Sequence, residues 1–263
     1  MLSPAENPAA PALIELIEAS VYDAETPSRV TVEDISWKVQ AGDFWIVAGL
    51  QSSGKSDLLN TAAGLQRPEC GRHFLFGRET SRLSEQELLE QRLKVGVVFE
   101  QGGRLFTRLT LAQNIALPLC YHQNCSEPDA LDQVATMLDF IGLGPVGELL
   151  PGRVNRNTRQ RTALARALIL RPEILMLDNP LAGLDSRETR WWISMLTRLA
   201  AGEPALNAPP MTIVVTTDDL RPWLNHARNF GFLNQRRWHP LGGRDGVAGC
   251  DDPFVRDLLL TAN

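Results

Sequence analysis

A run of eight residues near position 50 has the residue types of a phosphate-binding loop. Residues 49–56 read GLQSSGKS, which satisfies the pattern GxxxxGK[ST]. Gly54 allows successive backbone amides to turn toward one point, and a helix that follows adds its positive end. Lys55 would reach the terminal phosphates of a nucleotide, and the Ser56 hydroxyl would bind Mg²⁺. The alternative is a glycine-rich turn that happens to precede a lysine.

A second motif supplies the carboxylate that a Mg²⁺–nucleotide complex needs. The run EILMLD ends at Asp178, and four of the five residues before that aspartate are apolar. Such a run is typical of a buried strand, and an aspartate at its end can hold the metal. An aspartate in this position can also be only a cap for the next turn. Because a phosphate loop lies upstream, the metal role is favoured, and the sequence predicts ATP and Mg²⁺ as ligands.

The segments around these motifs alternate between strand and helix patterns. FWIVAGL and TIVVTT are short apolar runs typical of strands buried on both faces, whereas DLLNTAAGL, RQRTALARALIL and RETRWWISMLTRLA have helical spacing. LIELIEAS and RVTVEDISWKV, separated by turn residues, predict an antiparallel flap. Residues 83–150 have a mostly helical pattern, with one strand, KVGVVF. The prediction is an α/β fold: a P-loop NTPase core with a mainly parallel sheet, an N-terminal antiparallel β-flap and a helical subdomain.

Composition excludes several other classes of protein. The 263 residues include 26 Lys+Arg and 31 Asp+Glu, a net charge of −5 that disfavours nucleic-acid binding. No run approaches the ~18–20 apolar residues of a membrane span. The N-terminus lacks the basic segment and apolar core of a secretory signal. The 4 cysteines form no CxxC pair, so they are interpreted as reduced thiols of a cytosolic protein.

Further segments match one family in order and spacing. VVFEQGGRLFTRLTLAQNIALPL follows the phosphate loop, and LPGRVNRNTRQRTALARALILRPEILMLDNPLAGLD and TIVVTTDDL come later. Over about residues 13–240 the chain resembles the nucleotide-binding subunit of ATP-binding cassette (ABC) transporters. The resemblance implies a nucleotide-binding domain at 13–240, with a helical subdomain at about 100–165, between a loose lead-in at 1–12 and a C-terminal tail at 241–263.

The resemblance also assigns roles to individual residues. Tyr22 falls where the family has an adenine-stacking aromatic residue, with a surface tyrosine as the alternative. Asp185 matches the D-loop, which lies at the dimer interface, although a helix N-cap is the competing explanation. The implied metal ligands are Ser56, Gln101 and Asp178. The implied nucleotide-binding residues are Tyr22, Gly49, Gln51, Ser52, Ser53, Gly54, Lys55, Ser56, Asp57, Gln101 and Asp178.

Within the family, LTLAQNIALPL and the terminal DPFVRDLLL are most similar to ATPases of the Mce/Mla type, which energise lipid transport between bacterial membranes. ALPL-type segments also occur in lipoprotein-release and similar importers, so the lipid assignment rests mainly on the tail. The resemblance implies an integral-membrane permease subunit as one partner. It implies a second cassette subunit, the same chain or another, as the dimer partner. The chain would then be cytoplasmic and peripheral, on the inner face of the cell membrane.

Three departures from the family's pattern affect catalysis directly. Asn179 stands where the family has a catalytic glutamate, and an amide cannot take a proton from the attacking water. Thr217 occupies the position of the switch histidine. The signature motif is replaced by VNRNT, so its central positions are Asn155, Arg156 and Asn157.

The remaining departures are in the Q-loop and the phosphate loop. The Q-loop contains FEQ at 99–101, so either Gln101 is displaced by one residue or Glu100 has replaced the glutamine. Ser52 stands where a glycine is usual, and Asp57 stands where threonine is common. Neither of these two residues occupies a position that the GxxxxGK[ST] pattern requires.

These features predict three alternative functions. The first is a transporter subunit that binds ATP with weak or absent hydrolysis, because the missing base and the altered signature lie on one chain and no pairing restores a standard composite site. The second is an active ATPase in which Glu100 or Asp218 replaces the base and Arg156 stabilises the γ-phosphate charge. The third is an ATP-binding interaction module outside transport.

Overall fold

The chain folds around one large mixed sheet. The structure is a computed structural model that describes residues 11–23, 26, 29–100, 105–123, 125–206 and 208–260. Its strands are β1 (Ile14–Tyr22), β2 (Val30–Val39), β3 (Phe44–Ala48), β4 (Cys70–Leu75), β5 (Arg78–Glu79), β6 (Val95–Val98), β7 (Ile174–Asp178), β8 (Thr212–Thr217), β9 (Asn229–Asn234) and β10 (Arg237–Gly242). Within the described residues the order across the sheet is β5-β4-β1-β2-β10-β9-β3-β8-β7-β6.

Helices connect the strands and cover both faces of the sheet. They are α1 (Lys55–Ala62), α2 (Glu85–Arg92), α3 (Leu111–His122), α4 (Glu127–Phe140), α5 (Arg156–Leu168), α6 (Ser186–Ala201), α7 (Arg244–Ala248) and α8 (Pro253–Leu260). The structure therefore confirms the predicted α/β class and the helical character of the segments after the phosphate loop. No helix in the described ranges is both long and apolar enough to cross a bilayer.

Parallel pairing brings the carboxyl ends of the central strands to one edge. β3 pairs in parallel with β8 and β9, and β7 pairs in parallel with β6 and β8. In this register Ala48 faces Thr217, and Asp178 faces Thr216. The phosphate loop begins directly after β3, so it lies at the same edge as Asp178 and the end of β8. This edge is where ligands bind in open α/β sheets.

The N-terminal strands form the antiparallel flap that the sequence predicts. β1 pairs antiparallel with both β2 and β4. The β9–β10 hairpin then joins the flap to the parallel core, because β10 is antiparallel to β9 and meets β2 in parallel at Arg237 and Glu33. β4 and this hairpin were not expected from the sequence, since half or more of the residues in CGRHFL and RWHPLG are exposed or polar.

Two apolar cores hold the layers together. One lies between the flap and α1, and includes Trp37, Leu58 and Leu59. The other lies on the opposite face of the sheet, where α3 to α6 pack on the parallel strands around the fully buried Trp192. The C-terminal helix α8 joins this second core through Val255, which is fully buried. Burial of each large apolar side chain contributes about 1.5–3 kcal/mol.

Candidate nucleotide-binding site

The loop between β3 and α1 is folded as an anion-binding nest. Ser52 and Gly54 have left-handed backbone angles, with φ of 62° and 91°. A Cβ on Gly54 would lie 2.7 Å from Cγ2 of Val32, so glycine is required here for space as well as for its backbone angle. The N-cap residue of α1 is Gly54, which has no side chain to occupy the helix end, and the N-terminal end of a helix attracts anions.

Lys55 is held inside this loop. Its ammonium donates to the carbonyl oxygens of Gly49 and Leu50, each at 2.6 Å, and lies 3.4 Å from the Ser53 hydroxyl. Burial lowers its pKa below the ordinary value. Three carboxylates oppose that effect, in decreasing order Asp218, Asp178 and Glu100. The lysine therefore carries a buried charge that nearby carboxylates favour and that carbonyl oxygens bind. A phosphate on the loop would add a charge-assisted hydrogen bond to the same ammonium.

Asp178 is oriented by a neighbour on β8 that sequence reasoning missed. The Thr216 hydroxyl donates to Oδ1 of Asp178 at 2.6 Å, and both side chains are buried. The same hydroxyl accepts from the backbone N–H of Asn179 at 3.0 Å, and the Thr216 carbonyl accepts from it at 3.1 Å. Asn179 is thereby held with φ of 45°. One threonine fixes both the carboxylate and the backbone of the next residue.

The end of β8 contains a hydroxyl and an exposed carboxylate. The Thr217 hydroxyl donates to the carbonyl of Asp219 at 3.0 Å and accepts from its N–H at 3.2 Å. Only 2% of Thr217 is exposed, and both hydrogen bonds of its hydroxyl lie within its own turn. Asp218, by contrast, is exposed and acts electrostatically on Lys55.

Two of the three residues at the signature positions contact the D-loop and α6 of their own chain, and the third caps α5. Asn155 is the N-cap of α5, where its side chain accepts from the N–H of Thr158 at 2.8 Å. Nη1 of Arg156 lies 2.8 Å from the point where a Cβ on Gly183 would be. The Asn157 side-chain oxygen accepts from the indole N–H of Trp192 at 3.3 Å.

Asp185 is the N-cap of α6, which is the competing explanation given for this residue in the sequence analysis. Its carboxylate accepts from the N–H groups of Arg187 and Glu188, each at 2.8 Å. The Glu188 carboxylate also accepts from the N–H of Asp185 at 3.4 Å, and this completes a capping box. This geometry accounts for the aspartate within one chain and leaves its interface role a prediction.

The other predicted nucleotide-binding residues are distributed around the loop. Ser56 is exposed and Asp57 half-buried, both in the first turn of α1. Tyr22 lies at the end of β1 opposite Val30, and its carbonyl accepts from the Gln66 amide at 2.7 Å. Gln101 and part of the predicted lead-in at 1–12 lie outside the described residues.

Two grooves lie on either side of the phosphate loop. One, of about 640 Å³, is bounded by Gln51, Gly183 and Asp218. The other, of about 610 Å³, extends from Ser53 toward β2, the β9–β10 turn and α8. A nucleotide bound on the loop would therefore have space on both sides.

The donors present fit ATP with Mg²⁺ as a joint ligand. Asp178 and the exposed Ser56 hydroxyl are oxygen donors of the kind that Mg²⁺ prefers. Within the described ranges no group of three or more His, Cys, Asp and Glu side chains could hold a metal by itself. Mg²⁺ at this site would therefore complete its coordination with phosphate and water, as it does in most nucleotide sites.

Comparison with known proteins agrees with this geometry. The family described as "ABC transporter" matches residues 32–182. A solved ATP-binding cassette, a dimer in a post-hydrolysis state bound to ADP and Pi, superposes with a TM-score of 0.75 at 25% identity, covering 88% of this chain and 99% of that one.

Two curated relatives extend the match along the chain. The probable ribonucleotide transport ATP-binding protein Mkl of Mycobacterium leprae is 33% identical over 227 residues, which are 86% of this chain and 63% of the relative. This chain therefore spans less than two thirds of that relative's length. The intermembrane phospholipid transport system ATP-binding protein MlaF of Haemophilus influenzae is 31% identical over 212 residues, which are 81% of this chain and 78% of the relative. The chain belongs to the ABC transporter family, as an ATP-binding domain.

Proposed function

We propose that this chain is the ATP-binding subunit of a membrane transporter and that it binds Mg²⁺ and ATP while hydrolysing ATP weakly or not at all. The observation that carries the proposal is the combination of an intact phosphate loop with an amide at position 179. The loop keeps its glycine and its lysine, and α1 begins directly at that lysine. Asn179 follows the buried Asp178 on a backbone held by Thr216, and its side chain cannot act as a base.

The end of β8 supports weak chemistry for a second reason. A switch residue must present a polar atom to the γ-phosphate. The Thr217 hydroxyl already has a donor and an acceptor in Asp219, and the side chain is buried. Bringing it to a phosphate would require breaking both bonds, each worth about 0.5–1.5 kcal/mol. Loss of the base alone is expected to lower the rate by ~10²–10⁴.

The substitutions at the signature positions support the same conclusion. Glycines at these positions would let a backbone approach a nucleotide closely, whereas arginine and asparagine side chains add bulk. Arg156 and Asn157 are engaged with Gly183 and Trp192 of their own chain. A phosphate held by this segment would have to displace or bypass these side chains.

Binding itself rests on residues that remain. We assign phosphate contacts to Lys55 and to the amides of the loop and of the first turn of α1. Mg²⁺, when bound, would neutralise phosphate charge, with Ser56, Asp178 and the predicted Gln101 as its protein ligands. Asp178 would be kept in position by Thr216. Because binding needs no proton transfer, the change at position 179 leaves it intact and favours a long-lived ATP state.

Transport of a lipid is the cargo that we propose. The phospholipid transport protein MlaF is covered by this chain over 78% of its length, compared with 63% for Mkl. The segment LTLAQNIALPL and the terminal DPFVRDLLL support the same assignment. In this proposal a permease subunit supplies the membrane passage, a second cassette subunit pairs with this one, and the chain is peripheral on the cytoplasmic face of the membrane.

An active ATPase with a substitute base is the second candidate, and one observation favours it. Of the three carboxylates that raise the pKa of Lys55, Asp218 has the largest effect and Glu100 the smallest. Asp218 also borders the groove shared with Gln51 and the D-loop. A carboxylate near the phosphate loop and open to water has the chemistry of a general base.

Nucleotide binding and turnover on the purified protein separate the two candidates. We expect wild type to bind Mg²⁺ and ATP, Lys55→Ala to lose binding, and Asn179→Glu to gain turnover while binding stays similar. The measurements are displacement of a fluorescent ATP analogue and release of phosphate, with and without the permease. Turnover by wild type at the ~1–10³ s⁻¹ typical of enzymes would refute the proposal. Loss of that turnover in Asp218→Asn, or in Glu100→Gln, would identify the substitute base.

A further inference from the structure

The groove on the β2 side of the phosphate loop has an aromatic wall supplied by the C-terminal helix. It is bordered by Ser52 and Ser53 of the loop and by Val30 at the start of β2. Its lining also includes Gln235 and, from α8, Phe254. The family match ends at residue 182, so Phe254 comes from a part of the chain beyond that match.

Phe254 is held in place by its own helix. Its ring stacks on Phe232 of β9, with centroids 5.6 Å apart and planes at 29°. The neighbouring Val255 and Leu258 are fully buried in the core. The carbonyl of Leu258 also accepts from the N–H of Leu220 at 3.2 Å, which ties α8 to the segment after β8. The half-buried ring therefore occupies a fixed position in the wall.

The β9–β10 turn that borders the groove is equally fixed. Gln235 and Arg236 form the two-residue connection between β9 and β10, and both have left-handed backbone angles, with φ of 48° and 64°. Two successive residues of this kind make a type I′ hairpin turn, for which glycine and asparagine are preferred. Arg236 pairs with Glu33 of β2 at 2.5 Å. Gln235 is exposed at the tip of the turn and borders the groove.

The chemistry of this groove suits a nucleobase. It combines an aromatic face with a side-chain amide, which can both donate to and accept from the edge of a base. Its volume of about 610 Å³ lies within the range of small-molecule sites. It is continuous with Ser53, so a ligand whose phosphates lie on the loop has its remaining portion within reach of the groove.

We propose that Phe254 is a base-contacting residue and that α8 completes the nucleotide site of this chain. The inference rests on the proposed function, because it assumes that ATP binds at the phosphate loop. Phe254 stacks against the purine, and Gln235 contacts the base edge. The predicted adenine contact, Tyr22, does not border this groove within the described residues.

The test compares a ligand that has a base with one that does not. Displacement of a fluorescent ATP analogue by Mg²⁺–ATP and by Mg²⁺–tripolyphosphate is measured for wild type, Phe254→Ala, Phe254→Leu and Tyr22→Ala. Arg256→Ala is the matched control, because this exposed residue lies on the same helix and pairs with Asp251. Phe254→Leu retains apolar packing on Phe232 without the ring, and circular dichroism confirms folding of each variant.

The expected result is a loss of affinity that depends on the base. Phe254→Ala and Phe254→Leu should weaken ATP binding by about 5- to 160-fold, the range found for stacking of one base on an aromatic side chain. Tripolyphosphate affinity should stay unchanged, and Arg256→Ala should match wild type for both ligands.

Three outcomes would overturn the inference. Equal ATP affinity in Phe254→Leu and wild type would remove the stacking contact, and a loss shared with tripolyphosphate would mean that Phe254 acts on the shape of the loop. A loss confined to Tyr22→Ala would transfer the role to that residue. In each of these cases Lys55-dependent ATP binding by wild type would survive, whereas failure of wild type to bind either ligand would overturn the proposed function as well.

Discussion

Replacing Thr216 by valine tests whether the hydroxyl of this residue organises the site. Valine has nearly the same shape, so the substitution removes the bond to Asp178 at 2.6 Å and the bond from the N–H of Asn179 at 3.0 Å with little change in packing. The N–H of Asn179 keeps its bond to the Thr216 carbonyl at 3.1 Å. The main loss is therefore the buried bond to the carboxylate.

The size of the effect follows from the burial of both partners. Thr216 is 1% exposed and Asp178 is 7% exposed, so water cannot easily replace the lost donor. A hydrogen bond to a charged group contributes about 1.5–3 kcal/mol. In a domain of this size each 1 kcal/mol lowers the melting temperature by ~2–4 °C. Thr216→Val is therefore expected to melt ~3–12 °C below wild type.

Thermal unfolding followed by circular dichroism, without nucleotide, measures this effect. Thr216→Ser is the matched variant: it keeps the hydroxyl and loses one methyl group, worth about 0.8 kcal/mol. It should melt above Thr216→Val. The Mg²⁺ dependence of ATP binding should also shift to higher Mg²⁺ in Thr216→Val only. If Thr216→Val melted at or above Thr216→Ser, the argument that this hydroxyl stabilises Asp178 would be wrong.

Two further predictions concern the phosphate loop and the flap. Gly54→Ala and Gly42→Ala both force alanine into a left-handed angle, with φ of 91° and 80°, at a cost of about 1–3 kcal/mol, but only Gly54 lacks room for a Cβ. Urea unfolding should show both losses and ATP displacement only the first; equal ATP affinity in the two variants would contradict the steric argument. Burial lowers the pKa of His73 to about 4, so between that value and 6.5 the unfolded chain binds more protons and stability falls as the pH falls. Urea unfolding at pH 7 and 5 should show a loss of about 2 kcal/mol in wild type that His73→Gln lacks, and an identical pH dependence in the two proteins would exclude His73 as its source.

The sequence predicts those parts of the site that are contiguous along the chain. The phosphate loop and the strand that ends at Asp178 each have their own local pattern, and the β-branched run TIVVTT predicts β8. Parallel pairing then follows from strands separated by helices, which is why the fold class and the common edge of the site could be anticipated.

Contacts between distant segments could not be anticipated in this way. Thr216 is one of several threonines in an apolar strand, and only the register of β7 against β8 places it beside Asp178. Phe254 lies in a short apolar run whose relation to the phosphate loop depends on the packing of α8. β10 is mostly exposed and contains Pro240, so its position depends on pairing with β9 and β2 rather than on its own pattern.

The residues at the altered catalytic positions have structural contacts of their own. Asn157 satisfies the indole of Trp192, a fully buried residue whose N–H would otherwise lack an acceptor. Thr217 closes its turn through Asp219. Each of these contacts pairs polar atoms, and a buried polar atom without a partner costs about 1–3 kcal/mol.

The contact between Arg156 and Gly183 extends this argument to the D-loop. Gly183 has φ of 69°, a left-handed angle that favours glycine, and the end of the Arg156 guanidinium lies beside it. The arginine at the signature position thus lies against the D-loop glycine, and the two segments are in contact within one chain. A contact of this kind fits the proposed subunit, whose ATP-bound form is the functional state, because stabilising that form requires the loop, Lys55 and a rigid frame, and requires no general base.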